Sequence, residues 1–334
     1  MVNFLSREIL QDKFRGAILG CFLGDAFGSG FEGMDPARAQ LHMGNLSKKS
    51  VRSYTDDTDM TLALAESIIR CGKVDPEDIA NQFCLSCDLT RGYSSGTIRA
   101  VLALRGGLKW HQVGRIVFEN GSFGNGAAMR VSPVGLFFHH DLDGLLEAAI
   151  QQANVTHIHP LGQWGAVMQG CAVGLSVIQN PDEPFNAEEA IVQLREVLWP
   201  GPIEYVKALN KIEEMSVQKR KIGAQEVVQF LGNGVEAHSS VPSAWYIAVT
   251  YSPDFINAVR AAISLGGDTD TITGMVGAIV GAHVGENALP AEWIGQLEEG
   301  PRGRSFAKRL ADLLFESWWK VHQTSSRQPT PTCK

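Results

Sequence analysis

The sequence lacks most of what would mark a secreted, fibrous, membrane-spanning or nucleic-acid-binding chain. Only 19% of its 334 residues are charged and 8% aromatic. No apolar run approaches the roughly 18 residues that span a bilayer. The nearest, Met275 to Val284, is about half that length. Cationic excess is absent: 29 Lys and Arg stand against 36 Asp and Glu, a formal net charge of −7, which argues against broad capture of DNA or of an anionic membrane. Met1 to Leu10 has no charged start, long apolar core or small-residue cleavage site, so a soluble, cytoplasmic protein is expected. The six cysteines are scattered. Their one close pair, Cys84 and Cys87, has no second pair to complete a zinc site and reads as packed thiols rather than a disulfide. Strand alternation and internal repeats of 20–50 residues are also missing.

What is present is helical periodicity along almost the whole chain, which predicts an all-α fold. Leu10, Phe14, Ala17, Ile18 and Cys21 form one apolar stripe, while Gly16, Gly20, Gly24 and Gly28 repeat every fourth residue. A helix carrying that glycine row offers bare backbone that a second helix can approach closely. The spacing predicts further helices near 56–71, 94–104, 142–153, 161–179, 187–198, 241–251, 254–265, 270–284 and 303–322. Asp75-Pro76 with Asp78 reads as a helix start, and Asn186 with Glu189 as a variant capping box. Residues 1–323 are expected to form one compact domain. The Trp199 to Gly223 stretch is expected as a surface excursion, and 324–334 as a disordered tail.

Two acidic clusters stand at predicted helix starts. In Thr55-Asp56-Asp57-Thr58-Asp59 either Thr55 or Asp56 can cap the helix, but three carboxylates in four residues exceed what a cap needs and repel unless a cation intervenes. In Gly266-Gly267-Asp268-Thr269-Asp270-Thr271 the glycines allow a sharp turn before the helix. Brought together, the clusters would make an oxygen-only site for a hard cation, Mg, Mn or Ca, with Glu32 as a further arm. The positions expected of an EF-hand are not matched. Asp268-x-Asp270 superficially suggests a phosphohydrolase, yet no strand precedes it.

A third element, Phe118 to Arg130, contains Gly121-Ser122-Phe123-Gly124-Asn125-Gly126. It is neither a Walker loop nor a dinucleotide fingerprint. Its backbone N–H groups can receive a phosphate and its phenylalanines a flat base, although a plain tight turn explains it equally well. His157 and His159 have no acid or cysteine nearby and read as satisfied or supporting histidines. His139-His140 reads as a solvated turn, and Trp318-Trp319 as core.

Five separated motifs, Gly24-Asp25-x-x-Gly28-x-x-x-Glu32, Thr55-Asp56-Asp57-Thr58, Gly121 to Arg130, Thr156-His157 and Gly266 to Thr271, together resemble the ADP-ribosylglycohydrolase family, over about residues 12–322. The resemblance implies an all-α fold with a cleft holding two Mg2+ ions, Mn2+ being an alternative, and cleavage of the bond between ADP-ribose and its acceptor. It implies Thr55, Asp56, Asp57, Asp268, Asp270 and Thr271 as metal ligands and Glu32 as a mobile acid beside the metals. Glu32 is the candidate for proton transfer, with Asp56 or Asp57 the alternative. The loop residues Gly121, Ser122, Gly124 and Asn125 and His157 would hold the diphosphate, with Phe118 or Phe123, and Val235, near the adenine. The Glu32 arm and the loop resemble the branch acting on serine-linked ADP-ribose, poly(ADP-ribose) or O-acetyl-ADP-ribose. An arginine-specific hydrolase, a non-catalytic ADP-ribose-binding module and a phosphohydrolase are the alternatives. ADP-ribosylated proteins or the polymer are the expected partners of a monomer. Asp59 departs from a position often neutral in the family and is expected to add charge near the metals.

Overall fold

The fold is built around two helices that touch backbone to backbone. In a computed structural model, which describes residues 5–46, 51–217 and 222–325, the Arg7–Gly28 helix lies along the Thr269–Val284 helix in the most extensive helix pair of the chain. A Cβ on Gly20 would collide with the Gly277 carbonyl, and one on Gly16 with the Gly281 carbonyl; the reverse holds for Gly277 and Gly281. The glycine row is therefore the contact itself. Because the second helix is buried throughout and the first from Lys13 on, apart from Arg15, the other helices wrap around them.

The predicted helices are observed as Asp56–Cys71, Ser95–Arg105, Leu142–Ala153, Pro160–Val177, Ala187–Leu198, Ala237–Tyr251, Phe255–Ile263, Thr269–Val284 and Arg304–Ser325. Among the described residues there is no strand, only two isolated bridges. Asp75 accepts from the N–H groups of Glu77 and Asp78 ahead of Pro76. Asn186 accepts from Glu189 N and donates through its side-chain amide to the Glu189 carboxylate at 3.0 Å, a variant of the capping box in which the Asn186 N–H goes instead to Gln179 Oε1. The periodicity misses the short Pro36–His42, Trp110–Val113, Gly126–Met129, Ser132–Phe137 and Ala224–Phe230 helices, which are too brief to display a repeat. Ala237–Tyr251 starts earlier than the pattern suggests because Pro242 lies inside it rather than at its start.

Two expectations are corrected. The Trp199 to Gly223 stretch is not a surface excursion: Ile203–Val217 is a helix that buries Tyr205, Leu209, Ile212 and Met215, its amphipathic face having found the core. His139 is not in a solvated turn. It is buried, bonded through Nδ1 to Leu136 O at 2.7 Å and packed on Trp318, 4.7 Å between ring centroids. The Arg304–Ser325 helix crosses over it, a tertiary contact that local polarity cannot announce. Trp318 is core, as expected. Cys21, Cys71, Cys84, Cys87 and Cys171 are free thiols. No helix among the described residues is long and apolar enough to cross a membrane. The expected tail begins later than 324, since Thr324 and Ser325 still belong to the Arg304–Ser325 helix; the rest of it, with Cys333, lies outside the described residues.

Candidate metal centre and ligand cleft

Asp25 organises the centre, although as part of the Gly24 to Glu32 motif it carries no expected role of its own. It projects, fully buried, from the glycine-faced helix. Its Oδ1 accepts from Thr55 N (3.0 Å) and the Thr55 hydroxyl (2.9 Å), and its Oδ2 from Thr58 N (3.1 Å) and the Thr58 hydroxyl (2.6 Å). The acid thus takes up amide groups at the start of the Asp56–Cys71 helix, where the backbone has no partners of its own. Thr55, rather than Asp56, is the cap. An acid inside the otherwise apolar and glycine stretch from Gly16 to Gly28 was the signal available for Asp25, since such a charge, once buried, must be hydrogen-bonded.

Asp57 is buried; its Oδ2 lies 3.0 Å from the Thr55 hydroxyl and 3.4 Å from that of Thr271, while its Oδ1 has no hydrogen-bond partner among the described residues. The Thr55 hydroxyl faces both Asp25 and Asp57 with a single proton to give. Asp268 accepts from Asn125 Nδ2 at 2.5 Å, and Asp270 from the Thr271 amide at 2.9 Å. Carboxylate oxygens of Glu32, Asp268 and Asp270 lie within 4.8 Å of one another. Glu32 gets there through a backbone clasp: Gly33 N donates to Gly267 O (2.9 Å) and Gly267 N to Met34 O (2.8 Å). Gly266 and Gly267 have φ of +64° and +70°, a region side chains resist, so this turn requires glycine.

These carboxyls hold their protons unusually tightly. Burial first, then neighbouring carboxylates, lifts Asp270 to about 9 and Asp56 to about 7; burial lifts Asp25 to about 6, against the pull of its hydrogen bonds. Asp57 is pushed well up, and Glu32 is raised by burial and by Asp268. An orphaned buried oxygen, a hydroxyl shared by two acids and an all-oxygen donor set fit a hard divalent cation. A pKa raised on folding means that protonation favours the folded state. In EDTA, stability should therefore fall as pH rises from 5 through about 6, 7 and 9, and magnesium should flatten that slope. Calorimetric Tm values across this range test it, and parallel curves with and without magnesium would contradict it.

Asp59, expected to add charge near the metals, is turned elsewhere. It accepts from Asp88 N (2.8 Å) and the Tyr93 hydroxyl (2.9 Å) and lies 3.6 Å from Arg302. At 100° per residue Asp59 points about 200° round the helix from Asp57, and Arg302 supplies its countercharge.

The Gly-rich loop borders the centre. Asn125 faces inward rather than into the opening: its amide bonds Asp268 and Ser240, and its N–H donates to Val235 O at 2.9 Å. The Gly232 to Val235 segment is anchored in turn by Asp268 N to Asn233 O (2.9 Å) and Asn233 Nδ2 to Leu265 O (2.8 Å). Asn233 and Ser240 are further supports that the sequence did not disclose. Phe118, Phe123 and Val235 are about half exposed, at 51%, 46% and 61%, and the Phe123 ring packs edge-on against His159, 5.7 Å between centroids. His157 is buried beneath Gly124 and Gly126. His159 is not part of the acidic centre; it caps the Pro160–Val177 helix.

Residues 6–323 match the model of the family described as ADP-ribosylglycohydrolase. Relatives named ADP-ribosylhydrolase ARH3 include those of Homo sapiens, 32% identical over 94% of both chains, and Xenopus tropicalis, 31% identical over 90% of this chain and 95% of the other. An ADP-ribosylarginine hydrolase Tri1 of Pseudomonas putida is 24% identical over 92% of this chain and 80% of that one. The fold is similar to a solved structure titled "ADP-ribosylglycohydrolase-related protein complex", with a TM-score of 0.68, 23% identity, and coverage of 93% of this chain and 99% of that chain.

Proposed function

From the premise that this chain belongs to the ADP-ribosylglycohydrolase family and is a hydrolase of glycosidic ADP-ribose linkages, we propose that it acts on serine-linked ADP-ribose, poly(ADP-ribose) or O-acetyl-ADP-ribose, with two magnesium ions. The convergence of Glu32, Asp268 and Asp270 within 4.8 Å, beside the orphaned oxygen of Asp57, carries this reading. The higher identity to relatives named ADP-ribosylhydrolase ARH3 than to the arginine hydrolase speaks against arginine as the acceptor. Residues 1–323 would act as one cytoplasmic, monomeric domain.

Thr55, Asp56, Asp57, Asp268, Asp270 and Thr271 would hold the cations, with Glu32 at their edge. When bound, such cations orient hydroxyl groups and make water a better nucleophile. The bond that breaks lies at the anomeric carbon, through an oxocarbenium-like transition state, so the leaving oxygen needs a proton and water must lose one. Glu32 would carry both transfers, a role supported by its exposure while Asp57 and Asp270 are buried; Asp56 or Asp57 is the alternative. The Gly121 to Asn125 loop and His157 would hold the diphosphate, and Phe118 or Phe123 with Val235 the adenine.

Mass spectrometry of a serine-ADP-ribosylated and an arginine-ADP-ribosylated peptide, each with magnesium or EDTA, tests the reading. Magnesium-dependent release of free ADP-ribose from the serine peptide is expected. Release from arginine alone would overturn the acceptor, and phosphate in place of ADP-ribose would overturn the bond. Isothermal calorimetry should show magnesium binding about tenfold weaker in Asp270→Ala, by the scale on which metal-site partners act; unchanged affinity would remove Asp270 from the ligand set.

A further inference from the structure

Arg130 is fully buried, and no carboxylate touches it among the described residues. Its Nε donates to Gln152 Oε1 (2.9 Å), and its Nη2 to Gln152 O (3.1 Å) and to Thr156 Oγ1 (2.9 Å). The ring of Phe83 closes the site, 4.9 Å from the guanidinium carbon. A buried guanidinium without a countercharge is expensive to keep. Its position therefore asks for a reason beyond packing, and the Thr156 contact supplies one.

The Thr156 hydroxyl accepts a hydrogen bond from Arg130 and has its own proton to donate; the acceptor in reach is His157 Nδ1 at 2.7 Å. A neutral imidazole that accepts at Nδ1 carries its proton on Nε2. Burial, and then the charge of Arg130, pushes the His157 pKa down to about 3, so the ring stays neutral. The ring's one side-chain hydrogen bond among the described residues is the one at Nδ1, which leaves Nε2 free to donate. Nε2 lies against the Gly-rich loop, 3.1 Å from where a Gly126 Cβ would stand and 3.7 Å from a Gly124 Cβ.

We propose that Arg130 and Thr156 are positioning residues that lock His157 as an Nε2–H donor aimed at an anionic oxygen of the bound nucleotide's diphosphate. The proposal rests on the ADP-ribose reading of the cleft. Neither positioning residue needs to touch the ligand. Arg130 makes Thr156 an acceptor, Thr156 makes Nδ1 an acceptor, and the donor that remains faces the loop. The arriving diphosphate also brings the negative charge that the buried guanidinium lacks. Glycine at 124 and 126 leaves the path from Nε2 open.

Nitrogen-15 NMR of the full chain reads the tautomer without any ligand: a proton on His157 Nε2 is expected, and one on Nδ1 overturns the relay. Thr156→Val should mix the tautomers and weaken ADP-ribose about tenfold, the scale of one hydrogen bond to a charged group, while adenosine, which has no diphosphate, binds as before. Thr156→Ser should restore both readouts, which a merely structural role would not require. Unchanged ADP-ribose affinity in Thr156→Val overturns the proposal. Failure of the unaltered chain with magnesium to bind ADP-ribose would instead overturn the cleft reading and the ligand given to this donor, with the tautomer still judging the relay.

Discussion

Glu32→Gln should lower turnover by about 100-fold or more, the usual range for a lost acid–base group, and leave the fold intact. Glu32 is exposed and makes no hydrogen bond or ion pair among the described residues, so its replacement by an isosteric amide should change stability by no more than about 0.5 kcal/mol. What the amide cannot do is carry a proton. Its neighbours tune the native group: burial and the negative charge of Asp268 raise its pKa, which brings a carboxylic acid closer to working pH. If Glu32 only steadied a cation, kcat would follow the magnesium concentration, and excess magnesium would rescue the variant. If it transfers protons, kcat stays low at saturating magnesium and substrate. Turnover equal to that of the unaltered enzyme would remove Glu32 from the mechanism.

The largest effect on stability should come from Gly24→Val. A Cβ at Gly24 would run into the Thr273 carbonyl and the Gly274 Cα, both main-chain atoms inside a helix that cannot turn aside as a side chain would. Overpacking of this kind costs about 3 kcal/mol or more when nothing can move away, against a total of about 5–15 kcal/mol for a typical domain. The helices must separate, and Asp25 departs with one of them while Asp270 stays with the other. Denaturant unfolding should therefore show a large loss of stability, and magnesium should bind weakly even to the fraction that folds. Gly30→Ala is the matched control. Nothing lies within 4 Å of a Cβ there, and a surface change of this size should stay within about 0.5 kcal/mol. Equal stabilities for the two variants would refute backbone contact as the basis of the pair.

Much of this was legible in the sequence because the relevant signals are local. Helix Asp56–Cys71 is bounded by its cap and its period, and the glycine row states its own spacing. The acids announce themselves by crowding. The missing parts depend on distant residues. Asp25 reads as one acid on a helix until Thr55 and Thr58 arrive from about 30 residues away in the chain. His139 reads as polar until Trp318 covers it. Asp59 reads as one more charge in a cluster until Tyr93 and Arg302 claim it. Asn125 shows the same limit within the site: its place in the Gly-rich loop suggests a ligand contact, whereas its partners, Ser240 and Asp268, are 115 and 143 positions onward.

The paired backbone bonds between Gly33, Met34 and Gly267 give the Glu32 arm a built-in reporter. Because the arm and the turn before Asp268 share these two bonds, the arm cannot swing away alone: it must break both, or drag the Asp268 turn along. The Gly33 and Gly267 amides should then exchange with deuterium in step, at a rate set by how often the arm opens. A cation held between Glu32 and Asp268 would slow both together. An untagged enzyme would thus record the opening and closing of its own cleft in the lifetimes of two protons.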